Sequence, residues 1–323
     1  FFNLVSNIFS SRPYQVSYFT QTWVKKKVTK ILSRVKPDRI YCQLIRPAEY
    51  VKNYHDCPKT IDLMDALSKG IERRIENSSL LFRFLLKEEN KRLITYERKI
   101  LDYFEKATII SQQDKQFILH PKKESIEVVP NGVNTAFFSP IEDNVPALYD
   151  LVFIGNMNYP PNVETAKYIA TELVPKLSKK FPDIKLLISG ANPSRTVTNL
   201  ENSAVHISGW VDDIRKSYYA AKIFVAPMQS GTGMQNKLLE AMSLGLPCVT
   251  SSLANNAILA RPESDILIGD DSNTICEQIE RLLMNDALFK AIGKAGHNFV
   301  KEKYNWTVIN KGLALIIDPG LEQ

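Results

Sequence analysis

The chain has 323 residues, of which 44% are hydrophobic and 24% charged, with a formal net charge of +6. Length and composition are those of an ordinary globular protein with enough chain for two domains rather than one. No apolar run approaches the roughly 18 residues of a membrane-spanning helix, and no secretory signal is visible.

The four cysteines, Cys42, Cys57, Cys248 and Cys276, show no C-x-x-C spacing, and there are only four histidines. This pattern argues for reduced, buried thiols and against a zinc site. The charge is uneven. Residues 1–140 hold 24 Lys/Arg and 15 Asp/Glu, a net of +9, whereas residues 141–323 hold 17 and 20, a net of −3. A basic half suits an anionic membrane surface, nucleic acid or a phosphorylated substrate, and equally a solvated basic face. No nucleic-acid motif accompanies it, so no nucleic-acid partner is expected.

In the first half, "RIYCQ" (39–43), "KTIDLM" (59–64), "ATIIS" (107–111) and "IEVVP" (126–130) read as strands. A long charged helix is predicted over 80–105, with Leu81, Leu85, Leu93, Ile94 and Ile100 on its apolar face. Asp62 and Asp65 end a strand and serve either as structural caps or as ligand contacts at its carboxyl end. Four strands make a thin sheet. About two βα units of ~30 residues each are expected to be missing from the start, and the chain begins with Phe1 rather than Met. The segment 139–149, with two prolines and mixed polarity, reads as a linker.

Beyond it, "LVFIG" (151–155), "IKLLISG" (184–190), "AVHISG" (204–209), "KIFVAP" (222–227), "LPCVTS" (246–251) and "DILIG" (265–269) are short, apolar and rich in Val and Ile, as buried parallel strands are. Helices are predicted between and after them, at about 162–180, 211–221, 234–244, 272–284 and 286–302. This alternation predicts a doubly wound parallel sheet, whose ligands bind at the carboxyl ends of the strands. Asp212 and Asp213 are positioned to cap a helix, and His206 lies within a strand without a catalytic role.

The stretch "GTGMQNKLLEAM" (231–242) follows the strand ending near Pro227. Gly231 and Gly233 allow a close backbone approach, and a helix N-terminus suits phosphate. Lys237 opposes the helix dipole unless an anion lies nearby. Glu240, one turn on, has the two acceptor oxygens that a ribose diol needs. The spacing alone leaves two readings, a diphosphate-and-ribose site or a Gly-rich turn with an exposed Lys–Glu pair.

"GTGMQNKLLEAMSLGLPCVTS" (231–251) closely resembles the signature of the family 4 glycosyltransferases. "VVPNGVNTAFFSP" (128–140), "VFIGNMNYPPN" (152–162), "SGANP" (189–193) and "HISGWVDDIRKSYYAAKIFVAP" (206–227) resemble further family segments in the same order. With "ENKRLITYERKILDYFEKATIIS" (89–111), the set is similar to the branch of bacterial exopolysaccharide sugar transferases. The resemblance implies an α/β GT-B fold, in which two Rossmann-like doubly wound domains face each other across a cleft, the N-terminal one incomplete here. The expected layout is an acceptor-side domain at 1–138, a linker at 139–149, a nucleotide-sugar-binding domain at 150–304 and a C-terminal helix or tail at 305–323 that crosses back.

By the same resemblance, Glu240 takes the ribose hydroxyls and Lys237 the diphosphate. Gly231, Thr232 and Gly233 lie against the donor sugar and phosphates, with Met234 and Gln235 at the helix start. Gly209, Trp210 and Val211 wall the base, Gly155, Asn156 and Asn158 line the floor, and Gly190 forms a neighbouring turn. The implied reaction is metal-independent, retaining transfer of a hexosyl group from a UDP- or GDP-sugar to a glycan or lipid-linked acceptor, without a cofactor. Its implied setting is cell-surface polysaccharide synthesis, in the cytoplasm with peripheral contact at the inner membrane. Three departures stand out. Thr232 replaces a family glutamate, "GNMNYPPN" replaces a basic pair, and the family's N-terminal Gly-rich loop has no counterpart. A sugar-nucleotide epimerase of the same fold and a non-catalytic nucleotide-sugar-binding protein are the alternatives.

Overall fold

The computed structural model describes residues 11–76, 78–140, 147–230 and 233–322. The chain forms two compact units, residues 1–130 with 310–323, and residues 131–309.

In the first unit, helices Tyr14–Phe19 and Thr22–Val35 lead to strand β1 (Ile40–Gln43) and then β2 (Lys59–Asp62). Helices Leu67–Glu76 and Leu80–Ile100 lead to β3 (Lys106–Ile109), and helix Gln112–Phe117 to β4 (Glu127–Val128). The strands pair in parallel in the order β1-β2-β3-β4, over a core that includes Ile45, Ile61, Leu93, Ile100 and Ile109.

The long helix ends at Ile100, earlier than expected, and a 3-10 turn follows at Leu101–Tyr103. Leu93 and Ile100 are buried, but Leu85 and Ile94 are exposed, and the side chain of Leu81 lies outside the described residues. The buried stripe runs Glu89, Leu93, Tyr96, Glu97, Ile100, with true helical spacing but two carboxylates in it. Each serves a neighbouring helix start. Glu89 accepts from Tyr14 N (2.6 Å) and Gln15 N (3.1 Å), and Glu97 from Ser68 N (3.0 Å) and Ser68 Oγ (2.6 Å). Burial pushes the Glu97 carboxyl up to about 7.

The second unit contains β5 (Tyr149–Ile154), β6 (Leu186–Ser189), β7 (Val205–Gly209), β8 (Ala221–Ala226), β9 (Cys248–Thr250) and β10 (Leu267–Ile268). All pair in parallel, in the order β10-β9-β8-β5-β6-β7. Central β5 buries Leu151, Val152 and Phe153 completely, as a strand covered on both faces must. The helix from Pro160 runs through a π segment, Ile169–Leu173, to Leu177. Helix Arg215–Tyr219 is shorter than the expected 211–221. Asp213 Oδ1 accepts from Arg215 N (3.0 Å) at its start.

The first unit ends at Pro130 rather than at residue 138. The next residues belong to the second unit because their polar groups are satisfied there. Val133 N donates to Tyr304 O (2.6 Å), and Ser243 Oγ to Phe138 O (2.6 Å). Of the expected linker, residues 141–146 lie outside the described residues, and Tyr149 already begins β5. Helix Trp306–Ile317 starts in the second unit and ends in the first. There Lys106 Nζ donates to Ile316 O (2.6 Å) and Arg39 pairs with Asp318 (2.8 Å). All four cysteines are free and buried, and no helix of the described residues is long and apolar enough to cross a membrane.

Candidate functional site

Chain order in the second sheet reverses beside β5. From it the chain builds outward through β6 and β7, then returns to the other side for β8, β9 and β10. The loops after β5 and β8 therefore leave their strands at a switch point, the place where doubly wound sheets hold their ligands. Residues 155–158 leave from one side and residues 227–230 from the other.

Three expected site residues, Gly155, Gly190 and Gly209, lie in one row, each at or just beyond the end of β5, β6 or β7. Gly155 N donates to Ser189 O (3.1 Å), and Gly190 N to Gly209 O (2.9 Å). Gly190 has φ +138°, and a Cβ there would lie 1.8 Å from Gly155 O. Packing between strand ends thus requires this glycine whatever binds nearby. A Cβ on Gly155 would lie 2.6 Å from Asn162 Nδ2. Asn156 Oδ1 accepts from Asn158 N (3.1 Å), which closes the loop as an Asx turn.

From the β8 side comes helix Asn236–Ser243, whose N-cap, Gln235, makes no side-chain cap hydrogen bond. Gln235 Nε2 instead donates to Gly233 O (2.9 Å), and Met234 packs against the core. Gly231 and Thr232 lie outside the described residues. The helix ends in a Schellman motif. Gly245 (φ +75°) donates through its N–H to Met242 O (2.9 Å), and Leu246 N to Ala241 O (3.0 Å).

Lys237 and Glu240 both point into this constellation, and they do not form the exposed surface pair that spacing alone allowed. Lys237 Nζ donates to Asn162 Oδ1 (2.5 Å) and lies 4.8 Å from the centroid of the Phe153 ring. Burial lowers its pKa to about 8, against an upward pull from Glu240. Glu240 Oε2 accepts from the Tyr218 hydroxyl (2.7 Å), which also reaches Lys237 O (3.2 Å). Burial raises the Glu240 carboxyl, with Tyr218 and Lys237 opposing. Its other oxygen takes no hydrogen bond among the described residues.

Gly209 ends edge strand β7, and Trp210 and Val211 follow it, two strands from β5 and so about 10 Å from it. Trp210 is 72% exposed. In the first unit, Asp62 accepts from Tyr41 (2.8 Å) and from Met64 N (3.0 Å), a local turn role. His206 stacks on Tyr149 and pairs with Glu201 (3.0 Å) at the sheet edge.

The model of the family described as glycosyl transferases group 1 matches residues 149–285, which span β5 to β10 and every site residue above. The second unit carries a group 1 glycosyltransferase domain. A protein of the Klebsiella pneumoniae cps region is 23% identical over 295 residues, which cover 85% of this chain and 74% of that protein. The phosphatidyl-myo-inositol mannosyltransferase of Mycobacterium leprae is 30% identical over 191 residues, covering 56% of this chain and 50% of the relative. The chain thus spans about half the length of that mannosyltransferase. The solved structure of Anabaena Alr3699/HepE with UDP and glucose superimposes with a TM-score of 0.64, at 15% identity, over 89% of this chain and 79% of that one. The fold is GT-B, with two parallel-sheet α/β units.

Asn162, Tyr218 and Phe153 were not read as site residues from the sequence. Only the first carried a signal, as a polar residue following Pro160-Pro161 in the first turn of a helix beside the switch point.

Proposed function

We propose that this glycosyltransferase moves a hexosyl group from a nucleoside-diphosphate sugar, with UDP or GDP as the nucleotide, to a glycan or lipid-linked acceptor with retention at the anomeric carbon. The observation that carries this reading is Lys237. A partly desolvated ammonium at the switch point is held by a neutral amide and an aromatic face, with no carboxylate in ion-pair contact among the described residues. A cation kept in that setting is favourable when an anion joins it.

In the proposed complex, the diphosphate meets Lys237 and the uncapped N–H groups of helix Asn236–Ser243. These supply the positive charge, so the reading calls for no metal. Glu240 offers its second oxygen to the ribose hydroxyls. Gly155, Asn156 and Asn158 floor the site, Gly190 backs it, and Gly209, Trp210 and Val211 border the base. Gly233, Met234 and Gln235 lie along the sugar and phosphates. The C1–O bond to the diphosphate breaks, and C1 bonds the acceptor oxygen on the same face. The hydroxyl proton passes to the leaving diphosphate, whose charge the site stabilises.

The mannosyltransferase relative supports a lipid acceptor, and the cps-region relative supports a role in surface polysaccharide. Helix Thr22–Val35 carries Lys25, Lys26, Lys27, Lys30 and Arg34 and buries none of its residues. Such a surface suits peripheral contact with anionic lipid at the cytoplasmic face of the inner membrane. The test is thermal stability with UDP and GDP. One of them should raise Tm in the wild type, and Glu240→Ala should remove the effect. An undiminished shift in that variant would refute the ribose assignment.

A further inference from the structure

Lys237 approaches the site from one helix, but the atom that orients it belongs to another, 75 residues away in sequence. Asn162 is buried, in the first turn of helix Pro160–Tyr168. Both ends of its amide are committed. Oδ1 accepts from Lys237 Nζ (2.5 Å), and Nδ2 donates to Asn156 O (3.0 Å). The ammonium can only donate and the carbonyl can only accept, so one amide orientation alone satisfies both. Gly155 leaves the space in which the amide sits, since a Cβ there would lie 2.6 Å from Nδ2.

We infer that Asn162 is the positioning residue for Lys237, fixing its ammonium to the loop after β5 so that the charge stands ready for a diphosphate. This rests on the donor-site reading above. A neutral amide does what a carboxylate would do badly. An aspartate would hold the ammonium as firmly but cancel its charge and repel phosphate. An aliphatic residue would leave the ammonium without an acceptor in a desolvated place. Among the described residues around Lys237, Glu240 on the same helix is the charged one, and Tyr218, behind Glu240, is the other titratable one. Phe153 and Asn162 are neutral.

The experiment is titration of the full chain with UDP, GDP and uridine from pH 6.5 to about 9.5, for wild type, Asn162→Ala, Asn162→Asp and Gly155→Ala. In the wild type, diphosphate affinity should fall as pH rises through the deprotonation of Lys237. Asn162→Ala should weaken diphosphate binding about tenfold and move that midpoint to lower pH. Asn162→Asp should also weaken binding near neutrality but move the midpoint upward, because a carboxylate favours the charged lysine. Uridine affinity should change little in either. Gly155→Ala, which displaces the amide while keeping it, should behave like Asn162→Ala, and it retains the test if either Asn162 variant fails to fold. A merely structural role would lower Tm without opposite shifts of the midpoint. Normal diphosphate binding with unmoved midpoints in the folded variants would overturn the inference and leave the donor site intact. Failure of the wild type to bind either diphosphate would overturn both.

Discussion

Lys237 is costly where it sits, and the cost is legible in its pKa, which burial brings from 10.5 down to about 8. Between those values the unfolded chain binds a proton that the folded chain does not, so this residue's contribution to stability rises with pH across that window. Below about pH 8 the folded protein holds the buried cation charged and bears the full penalty. Lys237→Met should therefore melt higher than wild type at pH 7, by on the order of 1–3 kcal/mol. The difference should close toward pH 10.5. A variant less stable than wild type at pH 7 would contradict this. The identities of Lys237 and Glu240 were legible from their helix start and from the family resemblance. Their partners were not, because Asn162 and Tyr218 come from other elements and no local spacing relates them.

At the scale of elements, the strands among the described residues were legible because β-branched residues and short apolar runs mark parallel strands, even at the exposed edge strand β4. Helix ends were less so. The charged helix was expected to run to residue 105, but the chain tightens into a 3-10 turn at Leu101–Tyr103, and the helix's buried face includes Glu89 and Glu97, whose carboxylates satisfy the starts of two other helices. The glycines illustrate a related ambiguity, because a glycine near a ligand site can be there for the fold. Gly190 and Gly245 separate the two kinds of demand. Gly190→Ala meets both a positive φ and a backbone oxygen at 1.8 Å, and should cost at least about 3 kcal/mol or abolish folding. Gly245→Ala at the Schellman turn has only Pro140 Cγ at 3.8 Å, and should cost about 1 kcal/mol of strain. Equal losses in denaturant unfolding would show that close approach is not what fixes Gly190.

For the whole molecule, each unit has its own sheet and core, and the C-terminal helix returns residues 310–323 to the first. All the residues proposed to hold the nucleotide lie within residues 131–309, and the basic surface lies in the first unit. Donor recognition is thus proposed for the second unit, and acceptor and membrane contact for the rest of the chain. The central claim is that Lys237 is there for a diphosphate. Calorimetric titration of wild type and Lys237→Met with UDP, uridine, GDP and guanosine tests it most directly. The account predicts that the wild type binds one diphosphate at least tenfold more tightly than its nucleoside and that the variant loses this preference while keeping its fold. A wild type that draws no distinction between UDP and uridine or between GDP and guanosine, or a variant that keeps the distinction, would contradict it.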